Sequence, residues 1–307
     1  NTEVLMKISI LAVLAACIIS GDITYSVITN YRLKKWEKGI ERDADGIRKG
    51  CREFSIGSGD TAVLLVHGFG DAPSIYHKFA PALSEMGFTC RAMRLPGFAS
   101  PIAKYSKTSM KQWLQALEQE IQMLRQTHKH VWIVAHSLGG AISIRYLLDN
   151  PQKADGLILL SPLIKVSNQQ SPLLSAHAWH KIGKYSLFFT KILENYFPVD
   201  VHEPAARNQV LCDRFIPRVV YNEMFQLLDS IYDRARELNL PLLMVLSQDD
   251  VVVDSQDAEH FYQQISSPYK NIIFLENSGH TIPIDYEWEY VVSIVSSFIR
   301  RSSQQDM

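Results

Sequence analysis

Short runs of consecutive apolar residues alternate with amphipathic segments along most of the chain. Each run is bounded by glycine or polar residues, which is typical of strands buried on both faces. The runs occupy residues 61–67, 88–94, 131–136, 156–161, 242–247 and 272–275. Helical spacing of apolar positions falls between them, at residues 74–86, 109–126, 139–149, 255–265 and 286–298. This alternation predicts an α/β fold with a mostly parallel central sheet flanked by helices, and residues 46–56 predict one or two antiparallel edge strands.

A long segment between the fourth and fifth of these runs breaks the alternation. Residues 166–239 contain no strand-like run but are rich in aromatic side chains. These residues either form extra helices that bury only their own apolar face, or form a cap over the strand ends with an apolar pocket beneath it. Insertions at the carboxyl ends of parallel strands lie where such sheets bind ligands. We therefore expect an α/β core of residues 46–167 and 240–301, with a helical cap insertion of residues 168–239.

The N-terminal part of the chain is apolar in a different way. Residues 8–19 form an uninterrupted apolar run in which only Ser9 is mildly polar, and the run extends to Ile28 if a membrane tolerates Asp22. The shorter run is too short to cross a bilayer as a straight helix, which needs about 20 residues. We expect residues 1–35 to be a hydrophobic anchor or a signal segment.

Several interpretations of this N-terminal segment remain open. It is a membrane anchor, a cleaved signal peptide, or a lipoprotein signal, since Leu14-Ala15-Ala16-Cys17 resembles a lipidation box that comes early after Met6. A buried helix of a soluble protein is disfavoured because Arg32, Lys34, Lys35 and Lys38 follow closely. For an anchor, these charges favour a cytoplasmic catalytic domain, whereas a signal peptide would favour the opposite side.

Composition and charge exclude some classes of function. The chain is 47% hydrophobic and 21% charged, with a formal net charge of -1 and no long basic block, so nothing predicts a nucleic-acid partner. The cysteines, Cys17, Cys51, Cys90 and Cys212, form no C-x-x-C pair, which leaves at most a single bridge. No H-E-x-x-H pattern occurs, and we expect neither a metal nor a cofactor.

One apolar run leads directly into a predicted helix through a short turn. The residues Ala135-His136-Ser137-Leu138-Gly139 follow the G-x-S-x-G pattern of a nucleophile elbow, with alanine in the first glycine position. Such a sharp turn lifts the serine hydroxyl clear of the sheet and requires small residues two positions to either side. Ser137 is therefore the predicted nucleophile.

A serine hydroxyl is a poor nucleophile unless a base accepts its proton. In folds that carry their serine on such an elbow, the acid and then the histidine follow the serine along the chain. His280 lies in a loop directly after the last apolar run, which predicts that it is the base. The other histidines outside the motifs are expected to be structural; these are His77, His128, His130, His177, His180, His202 and His260.

The acid that orients the histidine should follow the preceding apolar run, residues 242–247. Three aspartates are available there, Asp249, Asp250 and Asp254. Asp250 fits best because three valines then lead to a helix start near Ser255, whereas Asp249 is expected to be solvated and Asp254 to be a loop or cap residue. The role of this acid is to hold one imidazole tautomer and to stabilise the imidazolium.

Two backbone N–H groups are needed to bind the oxyanion of a tetrahedral intermediate. One is expected from Leu138, directly after the nucleophile. The other is expected from Phe69 in the loop His67-Gly68-Phe69-Gly70, where the glycines allow the backbone to approach a ligand. The alternative is a tight turn with no catalytic role, which would need the same glycines.

Together these motifs resemble the α/β-hydrolase family over residues 46–300. The His67-Gly68-Phe69 loop, the Asp250 segment with residues 256–265, and the loop at residues 276–280 are similar to small bacterial carboxylesterases and monoacylglycerol lipases. The resemblance implies hydrolysis of carboxylic esters through an acyl-serine intermediate, and it also selects Asp250. Ala135 departs from the usual glycine. Residues 94–99 stand where many relatives carry a Gly-His-Gly loop, so that side of the site is expected to differ.

We therefore expect a carboxylesterase/lipase-type serine hydrolase. The aromatic cap and the apolar N-terminal segment favour lipid-like esters such as monoacylglycerols or lysophospholipids, and association with a membrane, in this case a bacterial inner membrane. The alternatives are acyl transfer to an alcohol or thiol on the same triad and a catalytically silent binding protein of the same fold. The silent protein is disfavoured because all three triad residues occur in order.

Overall fold

The computed structural model describes residues 2–169, 171, 173–195 and 197–305. Its strands are β1 (Phe54–Ile56), β2 (Thr61–Val66), β3 (Thr89–Met93), β4 (His130–His136), β5 (Gly156–Leu160), β6 (Ile192–Glu194), β7 (Phe215–Pro217), β8 (Leu242–Ser247) and β9 (Lys270–Leu275). Seven of them form the central sheet, in the order β1-β3-β2-β4-β5-β8-β9. The edge strand β1 is antiparallel to β3, and all other neighbours are parallel.

Helices connect these strands and cover the sheet. They are α1 (Thr2–Lys38), α2 (Phe79–Glu85), α3 (Ile102–Tyr105), α4 (Met110–Arg125), α5 (Leu138–Asp149), α6 (Ala176–Ser186), α7 (Pro204–Arg207), α8 (Arg218–Asp229), α9 (Ser255–Gln264) and α10 (Trp288–Gln305). Short 3₁₀ helices occupy Pro73–Tyr76, Tyr232–Glu237 and Ile282–Ile284.

Most of the apolar runs are buried because helices pack on both faces of the sheet, whereas the run in the edge strand β9 leaves Phe274 39% exposed. The core on one face contains residues of α4, α5, α8 and α9, and the core on the other contains residues of α2 and α10. Trp113 and Trp132 are buried on opposite faces. The predicted α/β fold with a mostly parallel sheet is confirmed. In such a sheet the carboxyl ends of the strands share one edge, which is where a ligand site is expected.

The structure differs from the sequence pattern in two places. The predicted helix at residues 74–86 is a 3₁₀ turn followed by α2. In residues 46–56 one antiparallel edge strand, β1, forms, in agreement with the predicted one or two. The segment expected to be a helical cap contains α6, α7 and α8, but also the antiparallel pair β6–β7. Each of these two strands has three residues, which is too short to produce a recognisable alternation.

The N-terminal segment is a single helix of 37 residues, α1. Among the described residues, it is the one helix long and apolar enough to cross a membrane, over Met6–Lys38, and it contains an 18-residue stretch with a mean hydropathy of 1.9. Every side chain described between Glu3 and Gly21 is exposed, whereas Asp22, Thr29 and Leu33 are buried against the rest of the protein. The two halves of α1 therefore have different surroundings.

Candidate active site

Ser137 lies at the sharp turn between β4 and α5. Its backbone has φ 51° and ψ -117°, a strained conformation for a residue with a side chain. The turn also requires a glycine at position 139, because a Cβ there would lie 2.4 Å from the carbonyl oxygen of Val66. Ala135 lies within β4, in ordinary extended backbone, so a methyl side chain is accommodated where the usual pattern has glycine.

His280 lies in the loop between β9 and the 3₁₀ helix Ile282–Ile284. Its Nε2 is 2.9 Å from Ser137 Oγ, and its Nδ1 is 2.8 Å from Asp250 Oδ2. All three side chains are buried. Because a carboxylate only accepts hydrogen bonds, Nδ1 carries the proton donated to Asp250, which leaves Nε2 free to accept the hydroxyl proton of Ser137.

The charge of Asp250 is supported by the backbone that follows it. Oδ1 accepts hydrogen bonds from the N–H groups of Val252 at 2.8 Å and Val253 at 2.9 Å. Burial favours the neutral acid, but His280 and these two donors outweigh it and lower the pKa of Asp250. Burial likewise opposes the charged imidazolium, but the carboxylate of Asp250, followed by those of Asp71 and Asp200, raises the pKa of His280.

The other two aspartates of this loop lie apart from His280. Asp249 is exposed, and Asp254 caps the N-terminus of α9 by accepting the N–H of Asp257 at 3.1 Å. The structure therefore brings Ser137, Asp250 and His280 into one hydrogen-bonded chain and leaves the two alternative acids outside it.

The two amides expected to bind an oxyanion flank Ser137. Leu138 is the first residue of α5, and its N–H points out of the helix N-terminus, as the first amides of a helix do. The loop that carries Phe69 lies against the serine, since a Cβ on Gly68 would be 3.0 Å from Ser137 Cβ. Neither N–H donates to a backbone carbonyl among the described residues.

Asp200 holds the site together and was not identified from the sequence. Its Oδ2 accepts the N–H of His280 at 3.0 Å and the N–H of Val251 at 3.1 Å, so it joins the loop of the base to the loop of the acid. Asp200 belongs to the segment expected to be the cap, far along the chain from both loops. An isolated aspartate there gives no recognisable signal.

His67 connects the Phe69 loop to the loop that follows β3. Nδ1 is 2.9 Å from the Gly68 carbonyl oxygen, and Nε2 accepts the N–H of Leu95 at 3.0 Å. Burial lowers the pKa of His67 to about 4, so the ring is neutral and can make both bonds. In the same loop, Arg94 donates to the carbonyl of Phe98, whose ring lies 6.0 Å from that of Phe69.

The segment 168–239 contacts the loop that carries Phe69. The ring of Phe69 lies 5.4 Å from Phe197 and 5.0 Å from Tyr221. Asp213 donates its N–H to the Gly70 carbonyl at 2.7 Å, and its carboxyl accepts the N–H of Ala99 at 3.0 Å. Burial raises the pKa of Asp213 to about 7.

Two adjoining cavities lead away from Ser137. The first, about 40 Å³, is lined by Ser137, His280 and Phe69. The second, about 590 Å³, is mainly apolar and shares three lining residues with the first, which are Phe197, Pro198 and Val252. A larger groove of about 900 Å³ lies between α1 and residues 39–50, lined by several charged side chains and away from Ser137, so it is not part of this site.

Known proteins share this architecture. A family model described as "Serine aminopeptidase, S33" matches residues 57–287. A thermostable monoacylglycerol lipase of Bacillus sp. (strain H-257) is 24% identical over 80% of this chain and 93% of its own length, and a carboxylesterase of Bacillus subtilis is 22% identical over 81% and 96%. A soluble variant of monoglyceride lipase from Saccharomyces cerevisiae superimposes with a TM-score of 0.72 at 17% identity, covering 81% of this chain and 91% of that one. The chain belongs to the serine aminopeptidase S33 family of hydrolases, with the α/β-hydrolase fold.

Proposed function

We propose that the protein is a serine carboxylic-ester hydrolase that forms an acyl intermediate on Ser137. The observation that carries the proposal is the buried hydrogen-bonded chain from Ser137 through His280 to Asp250. Ser137 Oγ attacks the ester carbonyl while His280 Nε2 accepts the hydroxyl proton. The N–H groups of Phe69 and Leu138 receive the negative charge that develops on the carbonyl oxygen.

The intermediate then collapses by breaking the bond between the carbonyl carbon and the alcohol oxygen. His280 donates its proton to that oxygen, and the alcohol leaves. Water attacks the acyl-Ser137 ester, again giving a proton to His280, and the fatty acid is released as Ser137 regains its hydrogen. The negative charge of Asp250 stabilises the imidazolium in both halves of the reaction.

The larger cavity supports a proposal for the substrate class. Its apolar lining suits a hydrocarbon chain, and it adjoins the cavity at Ser137 through three shared lining residues. A free α-amino group, which an aminopeptidase binds, would need a carboxylate partner. The described residues that line the larger cavity include no Asp or Glu, and the carboxylate that lines the cavity at Ser137, Asp71, faces the ring of His136, with its Oδ2 3.4 Å from Nδ1. We therefore favour lipid-like esters such as monoacylglycerols and lysophospholipids, and the first of these agrees with the name of the Bacillus sp. relative, a monoacylglycerol lipase.

The first test is hydrolysis of p-nitrophenyl esters with acyl chains from two to sixteen carbons. We expect the full chain in detergent micelles to prefer medium or long acyl groups. Ser137→Ala should remove the activity. The control is Ser143→Ala, which removes a buried hydroxyl on α5 that donates to the Gly139 carbonyl, and this variant should retain the activity. Equal loss in both variants would refute the role of Ser137. Comparable rates only on short, soluble esters would refute the lipid preference.

Acyl transfer to an alcohol or thiol uses the same groups, and competing acceptors in the assay would reveal it by the products formed. A silent binding protein would leave Ser137 unlabelled by a fluorophosphonate.

For localisation, we propose that α1 anchors the enzyme in a bacterial inner membrane, because its exposed N-terminal half has the composition of a membrane span. Extraction of the membrane fraction with carbonate tests the anchor, since only an integral protein stays in the pellet.

A further inference from the structure

The helix α1 and the segment 168–239 meet at one buried carboxylate. Asp22 accepts three backbone N–H groups, from Phe188 at 2.6 Å, Phe189 at 2.8 Å and Thr190 at 3.1 Å. The hydroxyl of Thr190 also donates to the carbonyl oxygen of Asp22, and Ser26 donates to that of Phe189. Asp22 is 4% exposed. Hydrogen bonds to a charged acceptor are stronger than neutral ones, so this cluster, the Asp22 clamp, is a specific joint between the two elements.

Further contacts along the same side of α1 fix its rotation. Thr29 and Leu33 are buried, Arg32 pairs with Glu194 at 3.0 Å, and the ring of Trp36 lies 5.6 Å from that of Phe215. With Asp22, these positions recur at helical spacing and so lie on one face. The face that α1 presents to the segment 168–239 is therefore set from Asp22 to its C-terminal end.

The exposed apolar part of α1 ends at the clamp. From Val4 to Gly21 the helix rises by about 27 Å, close to the thickness of a bilayer hydrocarbon core of about 30 Å. The one charged residue in this stretch, Lys7, lies near its N-terminal end, where a long side chain reaches the headgroups. Asp22 therefore falls at the membrane–water boundary, and the loop it binds lies at the same depth.

The protein surface beside the clamp is apolar as well. Phe188 is 67% exposed and Phe189 53%, although their backbones are fixed by Asp22. On α6, Trp179, Ile182 and Tyr185 are also exposed. Tryptophan and tyrosine are enriched where proteins meet the boundary of a membrane. These five side chains, the cap patch, continue the apolar surface of α1.

The larger cavity opens between the same two elements. Its lining includes Tyr25 from α1 together with Trp179 and Ile182 from α6. The membrane helix thus supplies part of the cavity wall, and two residues of the cap patch form its rim. A lipid in the adjacent leaflet would meet this rim without crossing bulk water.

We propose that the Asp22 clamp fixes the cap patch onto the bilayer, so that the acyl substrate enters the cavity directly from the lipid beside α1. This inference rests on the proposed function for the nature of the ligand. Asp22 is a positioning residue, since it lies outside the reacting groups. The occupant of the patch is the lipid surface, because the patch is continuous with a helix of membrane-spanning length.

The kinetic test compares two substrates with the full chain reconstituted in nanodiscs. Asp22→Ala should lower kcat/KM about tenfold for a long-chain monoacylglycerol held in the bilayer, chiefly through KM, and change hydrolysis of soluble p-nitrophenyl butyrate less than twofold. Thr24→Ala, at an exposed position on the same helix, is the matched control and should change neither rate. Equal losses on both substrates would indicate a merely structural role and overturn the proposal, as would no loss on either.

A second test reports the docking without any turnover. Brominated lipids should quench part of the tryptophan fluorescence, and Trp179→Phe should remove a distinct share of the quenched signal. Trp288→Phe, on the opposite side of the sheet, should leave the quenching unchanged. No difference between the two variants would overturn the proposal and would be expected if a second copy of the chain covered the patch. An enzyme inactive on both esters but quenched at Trp179 would refute the proposed function and leave the docking intact.

Discussion

The sheet core and helix α6 of the cap segment use apolar residues in opposite ways. In β2, β4, β5 and β8 the apolar runs are buried on both faces, and the reacting groups stand at the ends of these strands and in the loop after β9. In α6 no residue is buried, although the helix carries Trp179, Ile182 and Tyr185. Burial in the core fixes geometry to fractions of an ångström, as the chemistry requires. Exposure on α6 leaves apolar surface for a ligand or a membrane.

The sharpest test of the core is the adjacent pair Asp249 and Asp250. Asp250→Asn removes the charge that faces the imidazolium and favours the wrong tautomer, so we expect kcat to fall on the order of 10³–10⁴-fold. Asp249 is exposed and outside the hydrogen-bonded chain, so Asp249→Asn should change kcat less than twofold. Steady-state hydrolysis of p-nitrophenyl butyrate measures both. Similar kinetics in the two variants would refute the assigned acid.

The pH dependence of kcat/KM tests the same chain of groups. The base must be neutral to accept the proton from Ser137, and the nearby carboxylates raise the pKa of His280 above 6.5 despite its burial. We expect kcat/KM to fall about tenfold per pH unit on the acid side, with a midpoint above 6.5. A midpoint at or below 6.5 would contradict the electrostatic effect of Asp250, Asp71 and Asp200. Of these three carboxylates, only Asp200 belongs to the cap segment.

Filling the larger cavity should change selectivity and spare the chemistry. Ala176 lines the cavity from α6, whereas Ala178 on the same helix does not. Ala176→Trp should lower kcat/KM for a sixteen-carbon ester about tenfold and leave the four-carbon ester within twofold, because the long chain loses its space. Ala178→Trp is the size-matched control. A uniform decrease across chain lengths in Ala176→Trp would show that the cavity does not hold the acyl group.

The smallest effect is expected at Asp213, where the cap segment contacts the sheet core. Burial raises the pKa of Asp213 from 3.8 to about 7, so the folded protein holds this proton more tightly than the unfolded chain. The stability that results is complete below pH 3.8 and declines as the pH rises towards about 7. Asp213→Asn keeps an acceptor for the Ala99 N–H without the charge.

Melting temperatures of both proteins at several pH values check this prediction. The advantage of Asp213→Asn should grow by a few degrees from about pH 4 to about pH 7 and then stay constant, because the carboxylate is fully charged beyond that point. An advantage that shrinks as the pH rises would mean that the carboxylate is stabilised by its neighbours, against the effect of burial.

The core was predictable because its constraints are local. A buried parallel strand must be continuously apolar, and an elbow needs small residues around Ser137, so both leave a signature in a short stretch of sequence. The loop order after β8 and β9 then pointed to Asp250 and His280, which the structure brings within hydrogen-bonding distance of each other. The short strands β6 and β7 left no such signature.

Residues that act across long separations were not predictable in this way. Asp200 accepts the backbone N–H groups of His280 and Val251. Asp22 accepts the N–H of Phe188, which lies 166 positions later in the chain. In the sequence Asp22 is merely a polar residue at the end of an apolar run. Its role depends on which backbone amides face it, and only the three-dimensional arrangement reveals those.

The length of α1 has a practical consequence for making a water-soluble form. Removal of residues 1–38 would leave the N–H groups of Phe188, Phe189 and Thr190 without the Asp22 carboxylate. It would also remove Tyr25 from the cavity wall. A chain that starts at Ser20 would lose most of the exposed apolar stretch of α1 but keep both the Asp22 carboxylate and Tyr25. We expect the chain that starts at Ser20 to crystallise with an intact cavity. A crystal of the chain without residues 1–38 would show a cap that has lost its support.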